Sequence, residues 1–337
     1  DAALESYDEA LALDPDSVDV NWNKSLLLLL QGNYEEGWPL YEWRLKREDT
    51  LQEYPQFAQP SWRGETDLRG QRLLVHLEQG LGDMVQFCRY IPILVDKGIE
   101  VILQVQTSLL PLIASLESDV TLVSQDDPLP DFDAYCPLMS LPYALGTTLE
   151  TIPSSDSYLS PCPEKVAEWR EKLGSADALR VGLAWSGRKE HKNDHNRSMA
   201  LANLLPVLDV PVEWHSIQKD YRSVDLDVLK TLPQLYQHQR DLNDFSDTAA
   251  LLANLDLVIT VDTSVAHVAA ALGKPTWLLL PYLSDFRWLM DRVDTPWYPS
   301  MRLYRQDQPN DWTPVLQRIK NDLEQRIKSE LGGRINA

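Results

Sequence analysis

Cysteine is scarce in this chain: three residues, Cys88, Cys136 and Cys162, are spread over 337 positions, and none has a second cysteine two residues away. That spacing supports neither a disulfide framework nor a zinc site, and three ordinary buried thiols are expected. Positive charge is also in short supply. Lys and Arg number 31 against 51 Asp and Glu, for a formal net charge of -20. Nucleic-acid affinity comes largely from Lys and Arg neutralising phosphates, so no nucleic-acid partner is expected. No apolar run reaches the roughly 18 residues of a membrane span. The chain opens on Asp1 rather than on a basic and then apolar leader, which makes the cytoplasm the default compartment.

Apolar residues are plentiful. At 44% hydrophobic and 24% charged, the composition carries enough apolar surface to offset the entropy of ordering, which sets disorder aside. The length exceeds what one ordinary core serves, so at least two hydrophobic centres are expected. A phosphate-bearing ligand would need a local positive or dipolar pocket within an acidic surface.

The first fifty residues read as helical hairpins. Ala3, Tyr7, Ala10 and Pro15 have the spacing of the second helix of a tetratricopeptide repeat. Trp22 and the run from Ser25 to Leu30 make a first helix, Gly32 to Tyr34 a turn, and Gly37 and Tyr41 recur 34 residues after Ala3 and Tyr7. A generic helical hairpin fits the same pattern. Since about three repeats are usually needed to bury their shared face, this reading expects further repeats upstream.

From Leu51 to Leu68 the chain is rich in Pro, Gln and Trp and lacks periodicity, which marks a linker. Strand and helix patterns then alternate. RLLVHLE from Arg72, EVILQV from Glu100, VTLVS from Val120 and FDAYCPL from Phe132 read as strands, with a helix over Met84 to Val95. After a proline- and serine-rich stretch at 153–163, a second series runs through LRVGLAW from Leu179, EWHSIQ from Glu213, LYQHQ from Leu235, LDLVITVD from Leu255 and TWLLLP from Thr276. Strands separated by helices predict two parallel-sheet, Rossmann-like domains, with a ligand in the cleft at the carboxyl ends of their strands.

Three segments carry the chemistry. In VDTSVAHVAAALGKP a buried strand ends at Asp262, Asp262 or Thr263 caps the next helix, alanines allow close packing, and Gly273 stops it. The N–H groups of Thr263, Ser264 and Val265 suit a diphosphate, because a helix start attracts anions. A capped crossover helix without ligand fits equally well. His267, four residues after Thr263, lies on the same face, in reach of a phosphate or an acceptor hydroxyl, or simply packed.

In EQGLGD, the glycines Gly80 and Gly82 flank Leu81 in a turn after the first strand. Asp83 then stands at a helix start, either as a plain cap or as a carboxylate open to the cleft and able to act as a base. Val85 stands where the dinucleotide fingerprint would have its third glycine, so a nicotinamide enzyme is disfavoured. WSGRKEHKNDHNRS follows the first strand of the second series and concentrates Arg188, Lys189, Lys192 and Arg197. In so acidic a chain this island is a candidate receptor for a nucleotide diphosphate, or else a solvated basic loop. HKNDH is not the HExxH zinc motif.

These segments, in this order, resemble glycosyltransferase family nine, the heptosyltransferase-like group with the GT-B fold, over roughly Leu68 to Leu331. DTSVAHVAAALGKPTW resembles the family's donor-diphosphate segment, and GLGD its first glycine loop, whose aspartate is implicated as catalytic base. Ser186, Gly187 and Arg188 match the neighbourhood of donor-phosphate contacts. Glu78 and Gln79 depart from the small or basic residues that often precede the loop, and the RKEHKNDHNRS insert is unlike heptosyltransferases. Heptose as donor is therefore not implied.

The resemblance implies an α/β protein of GT-B type, with two Rossmann-like domains facing a cleft behind an all-α tetratricopeptide remnant. The expected spans are 1–48 for the remnant, 49–67 for a linker, 68–165 for the acceptor-side domain, 166–311 for the nucleotide-sugar domain and 312–331 for a last helix. The implied activity is inverting, metal-independent transfer from a nucleotide diphosphate sugar to a protein or glycan hydroxyl. Asp83 and His267 are the catalytic candidates. Ser186, Gly187, Arg188, Lys189, Asp262, Thr263, Ser264 and Val265 are the donor candidates, with Gly80, Leu81 and Gly82 as the cleft loop. No cofactor or metal is expected, since no Asp-x-Asp metal loop stands in a suitable place. The repeats add a candidate peptide or protein partner. A non-catalytic adaptor on a GT-B scaffold, or a nucleotide-sugar isomerase, are the alternatives.

Overall fold

The computed structural model describes residues 2–48 and 54–335, with side chains described up to residue 329. Residues 49–53 of the expected linker lie outside the described residues. The chain falls into two compact units. The first holds residues 1–110, 117–154 and 285–297, and the second holds 111–116, 155–284 and 298–337. The return of 285–297 to the first unit differs from the expected single span 166–311.

In the first unit, strands β1 (Arg72–His76), β2 (Glu100–Val105), β3 (Val120–Ser124) and β4 (Ala134–Pro137) form one parallel sheet in the order β3-β2-β1-β4. Leu73, Leu74 and Val75 are completely buried, as strands covered on both faces require. The chain runs outward from β1 through β3 and then jumps to the other side of β1, which creates a crevice between the ends of β1 and β4. The helix expected over Met84 to Val95 is broken. It runs Leu81–Phe87, passes through a 3-10 turn at Cys88–Tyr90 and resumes as Ile91–Asp96. Pro92 explains the break, because it lacks the N–H that a continuous helix needs and suits only a first turn.

The helices Ala2–Leu13, Val18–Leu30 and Tyr34–Tyr41 precede this sheet, and the last two form a tight pair. A Cβ on Gly37 would stand 2.7 Å from Leu29 Cδ2 and 3.2 Å from its backbone N, so only glycine permits that approach. Trp38 and Tyr41 meet the Phe286 ring edge-on at 5.8 and 5.7 Å, and Trp297 Nε1 donates to Tyr34 Oη at 3.1 Å. The returning segment and the helical pair thus share one aromatic core. The described part of the linker packs along β4, where Trp62 N–H donates to Tyr135 O at 2.7 Å and Tyr135 N–H to Pro60 O at 3.1 Å.

The second unit is a six-stranded parallel sheet in the order β10-β9-β8-β5-β6-β7. Its strands are β5 (Arg180–Ala184), β6 (Glu213–Ser216), β7 (Leu235–Gln237), β8 (Leu257–Val261), β9 (Thr276–Leu280) and β10 (Met301–Arg305). The sequence reading missed β10, because MRLYR interrupts its apolar residues with two arginines and forms an edge. β5, β8 and β9 are buried throughout. The final helix, Thr313–Ile335, closes the core with Val315, Leu316, Ile319 and Leu323, one face of a helix. Of the three thiols, Cys88 and Cys136 are buried, but Cys162 is half-buried and donates from Sγ to Glu164 Oε2 at 3.0 Å.

Candidate functional site

The order of the second sheet reverses between β5 and β8, since β6 and β7 extend one way and β9 and β10 the other. Such a reversal opens a crevice at the carboxyl strand ends, the usual ligand position in open α/β sheets. Ser186 and Gly187 follow β5, and Asp262 and Thr263 follow β8. The helix Ser264–Ala271 starts here, with Thr263 in the cap position and extended (φ -143°), but Thr263 makes no side-chain cap bond. Residues Asp262 to Val265 are half-buried, and Ala266 to Ala271 are buried against the sheet. Gly273 ends the helix at φ +72°, and a Cβ there would stand 2.7 Å from Asp156 O.

The cations bonded to the backbone of this crevice are Arg197 and Arg222. Arg188 and Lys189 are exposed, and Arg188 faces Glu190 at 3.7 Å. Arg197 instead reaches across, donating from Nη1 to Asp262 O at 2.9 Å, and a Cβ added at Gly187 would lie 2.6 Å from its Nη2. Arg222 donates from Nη2 to Gly187 O at 3.1 Å. Arg222 was not singled out, because nothing local distinguishes it from a solvated arginine. Four buried polar atoms here, Ser186 Oγ, Thr263 Oγ1, Arg197 Nε and Arg222 Nε, have no hydrogen-bond partner among the described residues. Buried polar groups are ordinarily paired, so such a concentration at one strand-end crevice marks a polar ligand or water site.

His267 is 5% exposed. Its Nδ1 lies 2.8 Å from Tyr298 Oη and its Nε2 4.0 Å from Asp262 Oδ1. The ring is therefore bonded to Tyr298 and only near Asp262.

In the first unit, Asp83 is the third residue of the helix Leu81–Phe87 rather than its cap, and its Oδ2 accepts the Gly80 N–H at 2.7 Å. The turn's left-handed position belongs to Gln79, at φ +60°, whereas Gly80 is extended. The second carboxylate oxygen of Asp83 pairs with Arg287 Nη2. Arg287 also donates from Nε to Gln86 Oε1 at 2.8 Å and from Nη1 to Asp285 Oδ1 at 2.7 Å. Burial pushes the Asp83 carboxyl above its ordinary value, while the Arg287 charge and the Gly80 N–H pull it back. Arg287 was missed by the sequence reading: it lies 204 residues from Asp83 in the chain, and no local spacing announces that contact.

Glu78 and Gln79, the two departures at the glycine loop, are explained by the helices before the sheet. Arg44 grips Glu78 in a fork, with Nε to Oε1 at 2.7 Å and Nη2 to Oε2 at 2.9 Å. Tyr54 Oη adds a bond to Oε1 at 2.8 Å, and Met139 N–H one to Oε2 at 3.3 Å. Burial opposes the charge, yet Arg44 and Tyr54 hold the Glu78 carboxyl below its ordinary value. Gln79 Nε2 donates to Tyr41 Oη at 3.1 Å. Among the described residues no group of three or more His, Cys, Asp or Glu is placed to hold a metal ion, and no helix is long and apolar enough to cross a membrane.

An α/β protein with parallel sheets and strand-end crevices of this kind belongs to the class of GT-B-like folds. The comparisons agree. Residues 243–280, which span β8, the Ser264 helix and β9, match the family model of glycosyltransferase family 9 (heptosyltransferase). Two solved structures share the fold. The glycosyl transferase family 9 protein of Veillonella parvula aligns at a TM-score of 0.50 and 12% identity over 72% of this chain and 87% of its own. The ADP-heptose lps heptosyltransferase II of E. coli aligns at 0.52 and 14% identity over 77% and 99%. Protein FlbA of Caulobacter vibrioides is 29% identical over 331 residues, 89% of this chain and 54% of FlbA, so the chain spans about half the length of that curated relative. The family match is confined to residues 243–280, and the two structures show a shared fold.

Proposed function

We propose that this chain is an inverting, metal-independent glycosyltransferase that moves a sugar from a nucleotide diphosphate sugar to a hydroxyl of a protein or glycan. The observation that carries the reading is the set of four unpartnered buried polar atoms at the β5 and β8 strand ends. Two belong to guanidinium groups, one of which, that of Arg197, bonds the Asp262 carbonyl just before the Ser264 helix. Such donors suit the charge that builds on a departing diphosphate, in the role a metal ion would otherwise fill. Ser186, Gly187 and Asp262 to Val265 form the donor subsite in this reading. Arg197 and Arg222 supply the charge assigned by sequence to Arg188 and Lys189, and His267 stands beside Asp262.

Asp83 is the proposed base. Each of its oxygens accepts one hydrogen bond, and each retains a second lone pair. One of these takes the acceptor hydroxyl proton as that oxygen attacks the anomeric carbon. The bond from that carbon to the donor phosphate oxygen breaks on the opposite face, and the nucleotide diphosphate leaves with the electron pair. The repeat-like helices, with their 34-residue offset, are read as the end of a tetratricopeptide array with a face for a protein or peptide.

The adaptor reading is favoured by one observation, the engagement of both Asp83 oxygens by Gly80 and Arg287. Titration calorimetry separates the two. An enzyme gives saturable heat with one member of a panel of nucleotide diphosphate sugars, ADP-sugars first because a structural relative is named for one, and a scaffold gives none. In the enzyme, Asp83→Asn lowers turnover about 10²- to 10⁴-fold and leaves donor affinity within about twofold; unchanged turnover rejects the base.

A further inference from the structure

Within the second unit, Arg222 beside the proposed donor crevice is held by an internal carboxylate. Asp194 is 7% exposed. Its Oδ2 accepts Arg222 Nη2 at 2.5 Å, and its Oδ1 accepts Ser198 Oγ at 2.6 Å. Ser198 Oγ in turn accepts the Gly187 N–H at 2.9 Å. Arg197 Nε lies 3.9 Å from Asp194 Oδ1, beyond hydrogen-bonding distance. One buried side chain therefore ties together Arg222, the loop after β5 and the turn that carries Arg197.

We infer that Asp194 is a positioning residue for the diphosphate subsite, fixing Arg222 and Gly187 so that the unpartnered guanidinium edges and the Ser264 helix start serve one anion. The inference rests on the donor reading above. A negative charge beside an anion site repels the ligand, and simple Coulomb behaviour makes its removal favourable. Positioning predicts the opposite. If Asp194 orders the arginines, neutralising it scatters them and weakens binding although a repulsive charge has gone.

The probes are inorganic pyrophosphate and ADP, titrated calorimetrically into the full chain. Asp194→Asn is expected to weaken both about tenfold, the equivalent of one charge-assisted hydrogen bond. Arg222→Gln is expected to weaken them similarly. The double variant D194N/R222Q should be no weaker than R222Q alone, since the two residues act as a unit. Unchanged or tighter binding by D194N overturns the inference while leaving the donor reading intact. A wild-type chain that takes up neither probe overturns both. Ser198→Ala leaves every charge in place and covers the case in which D194N does not fold: weaker probe binding supports the inference, and unchanged affinity overturns it.

Discussion

The crevices at the ends of β1 and β5 handle their polar groups differently. Beside β1, Glu78, Arg44, Tyr54 and Glu42 satisfy one another, and Asp83, Arg287, Asp285 and the Gln86 side-chain carbonyl form a second set that leaves only Gln86 Nε2 without a partner among the described residues. Beside β5 and β8, four buried donors and hydroxyls are left over. A buried ion pair seldom adds much net stability over a well-packed apolar pair, but it fixes geometry and punishes loss of one partner. Unpaired buried donors do the reverse, leaving a deficit that an anion removes. The first crevice is thus built to hold one side chain still, and the second to receive a ligand.

The largest test of that contrast falls on the closed crevice. Glu78→Ala leaves Arg44 buried and without its fork partner, at a cost of about 3–5 kcal/mol. Hydrogen exchange read by mass spectrometry should show the loss in peptides covering β1 and β4. Protection unchanged at β1 would mean that the fork does not hold the glycine loop, and the contrast would fail.

A smaller effect comes from pH. In the second unit His215 and His238 are buried, with Nδ1 and Nε2 3.0 Å apart. Burial lowers His215 to about 3 and His238 to about 4. A shared hydrogen bond between two rings needs one donor and one acceptor, which excludes protonation of both, and burial keeps the pair neutral. The unfolded chain takes up protons near the ordinary value of 6.5, while the folded pair does not. Stability is therefore complete above 6.5 and falls as the pH drops, by about 2 kcal/mol for each histidine on reaching pH 5. The first unit has His76, which burial also lowers, and Glu78, whose ordinary value of 4.5 lies below that window. Exchange at pH 7 and pH 5 should show the greater loss in the peptides of β6 and β7. An equal loss in β1 would contradict this, and His238→Gln should flatten the pH dependence.

The two crevices also differ in how much of them the sequence made legible. The β8 side was written locally: strand, cap position, alanine run and terminal glycine follow one another in LDLVITVDTSVAHVAAALG, and that stretch is also where the family model matches. Nine of the ten strands among the described residues were visible, most plainly β1, β5, β8 and β9, because buried parallel strands are short, unbroken apolar runs. What escaped depends on distance along the chain. Arg287 and Arg44 meet Asp83 and Glu78 across 204 and 34 residues, and hydrophobic periodicity says nothing about which charges pair. The exposed Arg188 and Lys189 looked better than Arg222 for the same reason, since a run of basic residues is visible in sequence and the fold of a loop is not.

The smallest effect concerns Gln79, where the glycine loop departs from what the turn itself prefers. A left-handed backbone at φ +60° costs a residue with a Cβ about 1 kcal/mol relative to glycine, and the bond from Gln79 Nε2 to Tyr41 Oη returns about as much. Gln79→Gly relieves the strain and loses the bond, so its stability should lie within about 1 kcal/mol of the wild type. Gln79→Ala loses the bond and keeps the strain, so it should be less stable than the glycine variant by about 1 kcal/mol, measured from urea midpoints with exchange locating the change at β1. The reverse order would mean that the turn is unstrained and that Tyr41 alone sets it. If the expected order holds, the glycine loop is kept in a conformation its own residues do not favour by a side chain from the preceding helices, and the position of Asp83 then depends on that helical segment as well as on the sheet.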